Sequence, residues 1–575
     1  MAETLLSPGA LMRENDDSFI SERPITVGAA IIGPTVKGPV EIPTIVRSYS
    51  DYQSRFGTVF TSGSSRQSDT YTYLTSIAAY NYFQNGGDTL LVARVVTGSY
   101  TEATSSAISA SSNAAAQPAF VLETISEGII MNNTGVPDAN GALANGTRDN
   151  IRWEITSPDT SSGTFTLLVR RGDDIANNRI VLETWPNLSL DPKSPNFLSK
   201  VIGDYTYNYN PSNNQIEVSG SYPNASRYIR VKSINLLTPN YLDNNGIARA
   251  IYTSSIPLAA SGTFGGAIGN IGDGAKFYHE ISNTDTQGLT AGNYDNMINL
   301  LSNVDDYRFN VLLTPGLIDS YATHTSKITS LINNTQERGD NIYVVDLVGY
   351  GSSVVGVSTQ ANTRNTSYAA AYWPWVQILD PDLGKNVWVP ASTVVGGVYA
   401  YNDKVAEPWF APAGISRGGL GNVLRAERKL SPSDRDSLYQ NKVNPIATFP
   451  NTGVVIYGQK TLQTMPSALD RVNVRRLLIA LKSYIKQVSQ NIVFEQNTVA
   501  TRNSFLAQVN PYLESIQQRQ GLYAFRVIMN ESNNTADVVD RNELVGAIYL
   551  QPTKTAEFIY IDFNLTPTGA TFPNA

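Results

Sequence analysis

The segment NYDNMINLLSNVDDYRFNVLLTPGLIDSYATHTSKITSLINNTQERGDNIYVVDLVG, residues 293–349, decides the fold. Its first dozen residues carry apolar positions at helical spacing. FNVLLTPG (309–316) is a short apolar run closed by Pro-Gly, as a strand would be. SYATHTSKITSLINNTQERG (320–339) returns to helical spacing and stops on Gly. NIYVVDLVG (341–349) reads as a buried strand. Strands alternating with helices predict an α/β layer.

Working outward, ITVGAAIIGPTVKGPVEIPTIV (25–46) has short β-branched runs divided by Gly and Pro, the pattern of strands and tight turns. DTYTYLTSIAAYNYFQ (69–84) has Tyr73, Ile77, Tyr80 and Phe83 at helical spacing. NGGD then stops the helix, and the strand TLLVARVV (89–96) follows. Residues 98–235 change texture. They are rich in Ser, Thr, Asn and Gly, with short alternating strands such as TFTLLVRR (164–171) and IRVKSINLL (229–237). The chain therefore divides into an N-terminal arm (1–22), a first core part (23–97), an inserted β-rich domain (98–235), an α/β middle domain (236–384), a C-terminal core domain (385–555) and a terminal strand and arm (556–575). The expected class is a multidomain α/β (α+β) protein with a discontinuous core, an inserted β-rich domain and extended arms.

Composition removes several function classes. At about 150 residues per domain, 575 residues suggest roughly four domains. Charged residues are 16%, below the usual quarter or so, while 31 Tyr, 18 Phe and 6 Trp supply enough apolar surface to fold. The net charge of −7 argues against nucleic acid as a partner. With no Cys, disulfides, zinc–thiolate sites, Fe–S clusters and Cys nucleophiles are excluded together. Two histidines, His279 and His324, leave no His-rich metal site. MAETLLSPGALMREND does not read as a signal peptide, and no apolar run is long enough to span a membrane. We therefore expect an intracellular product with no cofactor, no metal and no membrane insertion.

Six stretches resemble one known family. GPTVKGPVEIPTIVRSYSDYQSRFG (33–57) and YNYFQNGGDTLLVARVV (80–96) are similar to the N-terminal signature of the contractile-tail sheath proteins of bacteriophages. ILDPDLGKNVWVPASTVVGGVYAYNDKVAEPWFAPAG (378–414) follows, then VNPIATFPNTGVVIYGQKTL (443–462), then VNVRRLLIALKSYIKQ (472–487) with FEQN (494–497), all in family order. AEFIYIDFNLTPTGATF (556–572) resembles the large T-even-like sheaths in particular. The resemblance covers residues 23–97 and 290–570 but not 98–235. FEQN departs from it, since the family often has Pro before that Asn.

The resemblance implies a structural task. Sheath subunits form a homopolymer of stacked hexameric rings around a tail tube protein, between baseplate and terminator or neck proteins. Their arms add strands to neighbouring subunits. The sheath is assembled extended and metastable, in the host cytoplasm, and becomes part of the virion. A baseplate signal then lets it shorten and drive the tube through the host envelope, and no bond is broken. A phage-derived injection device such as a tailocin would use the same fold.

Other motifs compete with this reading. GISRG (414–418) matches G-x-S-x-G with Ser416 as a would-be hydrolase nucleophile, but no His follows it in the order that chemistry needs. DPDLGK (380–385) has Gly384 and Ala391 where a calcium loop wants an acid or Asn and then Glu, so a turn is expected. GGAIGNIGDG (265–274) lacks phosphate-loop spacing.

The informative helix is RVNVRRLLIALKSYIKQVS (471–489). At 100° per residue Arg471, Arg475, Lys482 and Lys486 fall within about 60° of arc, beside an apolar face. No acid occurs from Arg471 to Phe494. Such a stripe fits either an acidic partner or pairing within the subunit. The family resemblance makes these four tube-facing candidates. Arg502 and Arg519 of the next helical stretch, TRNSFLAQVNPYLESIQQRQ (501–520), are the others. Ile559, Ile561, Phe563 and Leu565 alternate as a half-buried strand. That strand closes its own sheet or completes a neighbour's open edge.

Overall fold

The computed structural model describes residues 25–61, 70–110, 118–270 and 281–558. The chain is built on one eight-stranded sheet assembled from distant pieces. Its strands are β1 (Ile25–Gly33), β2 (Thr44–Val46), β3 (Leu90–Arg94), β4 (Tyr307–Ile318), β5 (Ile342–Asp346), β6 (Ala369–Trp373), β7 (Val443–Phe449) and β8 (Gly453–Ile456). They lie in the order β2-β3-β1-β4-β5-β6-β7-β8. The six inner strands run parallel, and β2 and β8 close the edges antiparallel.

Parallel strands need crossovers, and helices supply them on both faces. Period-two alternation sorts the side chains. Ala29, Ile31 and Val344 join one core with the helices Leu74–Gln84 and Ser392–Val405. Ala30, Ile32, Tyr343 and Val345 join the other with Ala322–Arg338 and Val354–Asn362. Every residue of β5 and β6 is buried, as double coverage requires.

The α/β expectation at 293–349 holds. The helix expected over 69–84 starts later. Thr70–Thr72 is a strand paired with Val59–Thr61, and Tyr73 stacks on Phe60 with ring centroids 4.3 Å apart. Aromatic packing there overrides helical spacing.

Between β3 and β4 the chain leaves the sheet and builds a β sandwich. One sheet has the order Val181–Ser189, Thr164–Arg171, Ile151–Asp159, Ala260–Gly262; the other contains Ile229–Ile234, Pro118–Glu127, Glu102–Ser105 and Phe264–Gly265. Their facing residues form a separate core in which Phe120 stacks on Phe165 at 5.5 Å. Because Ala260–Gly262 and Phe264–Gly265 pair back into these sheets, the β-rich region runs on to Gly265, beyond the texture change at 235. Short polar strands separated by loops hide that return in the sequence.

The last unit holds two helices, α1 (Val472–Gln490) and α2 (Val499–Gln518), and an antiparallel hairpin of Leu522–Ile528 with Ala547–Pro552. Leu477, Leu481 and Val488 of α1 meet Phe505, Val509, Leu513 and Ile516 of α2 in a fourth core. The spacings of three, four and seven residues put each set on one helix face. Ile559, Ile561, Phe563, Leu565, His279 and the first 24 residues lie outside the described residues.

Candidate assembly interface

The six predicted basic residues do not behave alike. Arg471 is the N-cap of α1. Its guanidinium donates two bonds to the Glu557 carboxylate, at 2.7 and 2.9 Å, and reaches Asp470 at 3.0 Å. Glu557 also accepts from Tyr439 Oη at 2.8 Å and Gln459 Nε2 at 3.1 Å. Burial alone would raise the Glu557 pKa, but the bonds from Arg471, Tyr439 and Gln459 outweigh it and hold the carboxyl below its ordinary range.

Arg475 is buried, 4% exposed, with its guanidinium over the Tyr368 ring at 4.0 Å and donating to Ser367 Oγ. Burial lowers its pKa and the Tyr368 ring partly opposes that. Arg502 is buried too and donates to Asn497 Oδ1 at 2.7 Å. Arg519 pairs with Glu407 at 2.6 Å and lies over Trp409 at 5.1 Å.

Only Lys482 and Lys486 of the stripe are exposed. Lys482 donates to Tyr368 Oη at 3.0 Å, and Lys486 stands 3.7 Å from the exposed Asp305. The stripe read as unpaired is therefore partnered within the subunit. Glu557 and Asp305, two of the acids that answer it, lie 86 and 181 residues away in sequence, where local spacing could not find them. The same holds for Arg476, which sequence reasoning passed over: it is buried and paired with Asp403 at 2.5 Å.

Glu557, with its partners Tyr439 and Gln459, forms one wall of a cleft of about 930 Å³ between the central sheet and the C-terminal hairpin. Trp409, Phe410, Tyr439, Tyr457, Tyr523 and Phe558 give it an aromatic lining. The described chain ends there, at Phe558.

The places where an α/β enzyme would do chemistry are filled by the chain itself. Ligands of such sheets bind beyond the carboxyl ends of the strands where strand order reverses, here between β1 and β4. That spot holds the buried pair Thr286 and Gln287. Thr286 Oγ1 donates to Gly316 O at 2.7 Å, and Gln287 Nε2 donates to Pro315 O at 3.3 Å. Asp346, at the end of β5, is buried and its carboxyl is pushed up to about 7 by that burial. Both its oxygens are committed to the start of the helix Ser392–Val405, through Ser392 N at 3.1 Å and Ser392 Oγ at 2.5 Å. Ser416 is exposed in the four-residue helix Gly414–Arg417, with no strand leading into it. His324 is buried, with Nδ1 accepting from Ile318 N at 3.1 Å, and burial lowers its pKa to about 4. DPDLGK is the expected turn: the Asp380 carboxylate accepts from the backbone of Asp382 and Leu383. Among the described residues no group of His, Asp and Glu could hold a metal, and no helix is long and apolar enough to cross a membrane.

Comparison with known proteins accords with this geometry. Residues 288–462 match the phage tail sheath protein central domain, and 464–566 the phage tail sheath C-terminal domain, so the division falls just before α1. The tail sheath protein of Vibrio phage KVP40 is 38% identical over 247 residues, 42% of this chain and 36% of that protein. That of Enterobacteria phage T4 is 40% identical over 187 residues, 32% of this chain and 28% of that protein. That of Salmonella phage ViI is 30% identical over 326 residues, 51% and 50% respectively. The matches thus span half or less of those relatives' own length. A crystal structure of a sheath tail protein from Listeria innocua shares the fold, with a TM-score of 0.52 at 10% identity over 92% of this chain and 96% of that one. Two adjoining segments of the chain, 288–462 and 464–566, thus match the central and C-terminal domains of phage tail sheath proteins.

Proposed function

We propose that this protein is the sheath subunit of a contractile phage tail. It polymerises as stacked rings around a tail tube in a metastable extended state. On a baseplate signal it contracts and drives the tube through the host envelope. Its partners are copies of itself, the tube protein, the baseplate and the terminator or neck proteins. It is assembled in the host cytoplasm and carried in the virion. Its role is mechanical rather than catalytic.

The observation that carries this reading is the pair of adjoining sheath-domain matches over 288–566. The architecture suits the task. The central sheet and the sandwich have separate cores, and the C-terminal unit has another, which Val472 and Ile479 of α1 and Trp409 join to the central one. Close-packed cores resist continuous deformation, so a large change of shape is cheapest at the interfaces between rigid bodies.

Of the six basic candidates, Lys482 and Lys486 are the pair we assign to the tube. Exposed charge contacts are individually weak, about 0.2–1 kcal/mol, and release without a large desolvation cost. Repetition around a ring makes them sufficient for registry.

Negative-stain microscopy of the purified full chain tests the function. Long hollow tubes are expected. Monodisperse particles of single-subunit size under all assembly conditions would contradict it.

A further inference from the structure

Just past the end of α1, the loop 491–498 presents Phe494 fully exposed, at 103% of the reference accessibility, flanked by Val493 and Val499, each 58% exposed. Phe494 has φ 70°, a left-handed conformation that an aromatic residue adopts only under constraint. The surrounding loop supplies that constraint. Asn497 donates to Glu543 O at 2.8 Å and accepts from Arg502 at 2.7 Å. Thr501 Oγ1 donates to Gln496 O at 2.7 Å. A rigid loop that holds an unpartnered aromatic ring in water suits a protein anchor, since rings of this kind dominate binding energy when buried in a pocket.

We propose that Val493, Phe494 and Val499 form a knob that seats in the aromatic cleft of a second copy of this chain. The proposal rests on the sheath reading given above. Three observations select this occupant. First, the subunit cannot fill its own cleft with this knob. Asn473, at the start of α1, lines the cleft, and Phe494 lies beyond the other end. Seventeen helical residues, 474–490, separate them by about 26 Å. Second, the charges match. Glu495 is the single charged residue between Lys486 and Arg502. Outside the internal Arg471–Glu557 pair, the cleft carries Arg417, Arg435 and Lys554 against Asp436. Third, a knob at one end of a rigid unit and a socket at the other make a head-to-tail contact, which propagates into rings or open helices instead of closing a dimer.

The chain contains no cysteine, so introduced thiols report without background. Phe494→Cys combined with Ala556→Cys, in the exposed cleft wall, is to be polymerised and treated with a short bismaleimide. A covalent ladder is expected from the double variant, and dimers alone from a mixture of the two single variants. Phe494→Asp should weaken the contact about thirty-fold, the scale of an aromatic hot spot, and shift the equilibrium to free subunits with an unchanged melting temperature. Normal polymer that never cross-links, normal polymer from Phe494→Asp, capture of tube protein by the residue-494 thiol, or cross-linking of residue 556 to the same chain's residues 559–575 would each overturn the knob while leaving the sheath reading intact. Failure of the unsubstituted chain to polymerise would overturn both.

Discussion

Glu557 and Arg471 face each other across 86 residues of sequence in a two-bond pair, at 2.7 and 2.9 Å. The pair stands where the chain leaves the C-terminal hairpin. Tyr439 and Gln459, from the central domain, hold the same carboxylate. Glu557, next to the last described residue, is thus tied to both the central and the C-terminal units.

Glu557→Gln should loosen this tie without unfolding the protein. The pair is partly exposed, so the global cost should be about 1 kcal/mol or less. Hydrogen exchange at residues 553–558 should rise, with the rest unchanged. Arg471→Lys should do the same, because a lysine cannot make the two-bond fork. The Glu557 pKa lies below its unfolded value, so its contribution is present at neutral pH and is lost as pH falls below about 4. Unaltered exchange at 553–558 in both variants would show that the tie does not hold the exit.

Asp346 gives a pH signature of opposite sign. Its folded pKa, about 7, is raised above the unfolded value near 4. The folded state binds the extra proton, so this contribution to stability is full below about pH 4 and lost as pH rises to about 7. Asp346→Asn keeps an acceptor for Ser392 N. Relative to the unsubstituted chain it should gain on the order of a few kcal/mol between pH 4 and 7.5, read from denaturant melts. A constant difference across that window would contradict the assignment. His324, lowered to about 4, opposes Asp346 in the unsubstituted chain, since its contribution is lost as pH falls from about 6.5 towards 4. Only the difference between variants isolates Asp346.

Leu513→Ala should cost about 2–5 kcal/mol, because Leu513 is fully buried in the core between α1 and α2. A drop in melting temperature confined to the C-terminal unit is expected. Near-native stability would mean that this core collapses around the cavity.

Lys482→Glu with Lys486→Glu should impair assembly around the tube more than subunit folding. Both side chains are exposed, and their internal partners, Tyr368 and Asp305, are weak. Sheathed tails of normal length from the double variant would remove these residues from the tube contact. Arg502, being buried, and Arg519, held by Glu407, are then poor substitutes.

The fold was legible where periodicity is local. FNVLLTPG and NIYVVDLVG became neighbouring strands β4 and β5, and TFTLLVRR (164–171) is a strand over its whole length. What resisted was pairing at a distance. Nothing near Arg471 announces Glu557, and nothing near Ile155 announces its strand partner Ala260. A helical wheel places Arg475 on the face of Lys482, but it cannot show that Tyr368 covers one and leaves the other in water. The fully exposed Phe494 sits inside FEQN, the stretch whose sequence departs from the family pattern, yet only the structure shows its ring without a partner.

On the proposed sheath function, work comes from rearranged interfaces between rigid subunits. Cryo-electron microscopy of extended and contracted particles from one preparation tests it most directly. A shorter, wider sheath is expected, in which the described residues of single subunits superpose between states while contacts between subunits change. Refolding of the central sheet, the sandwich or the α1–α2 unit between the two states, or a polymer of fixed length under every trigger, would contradict it.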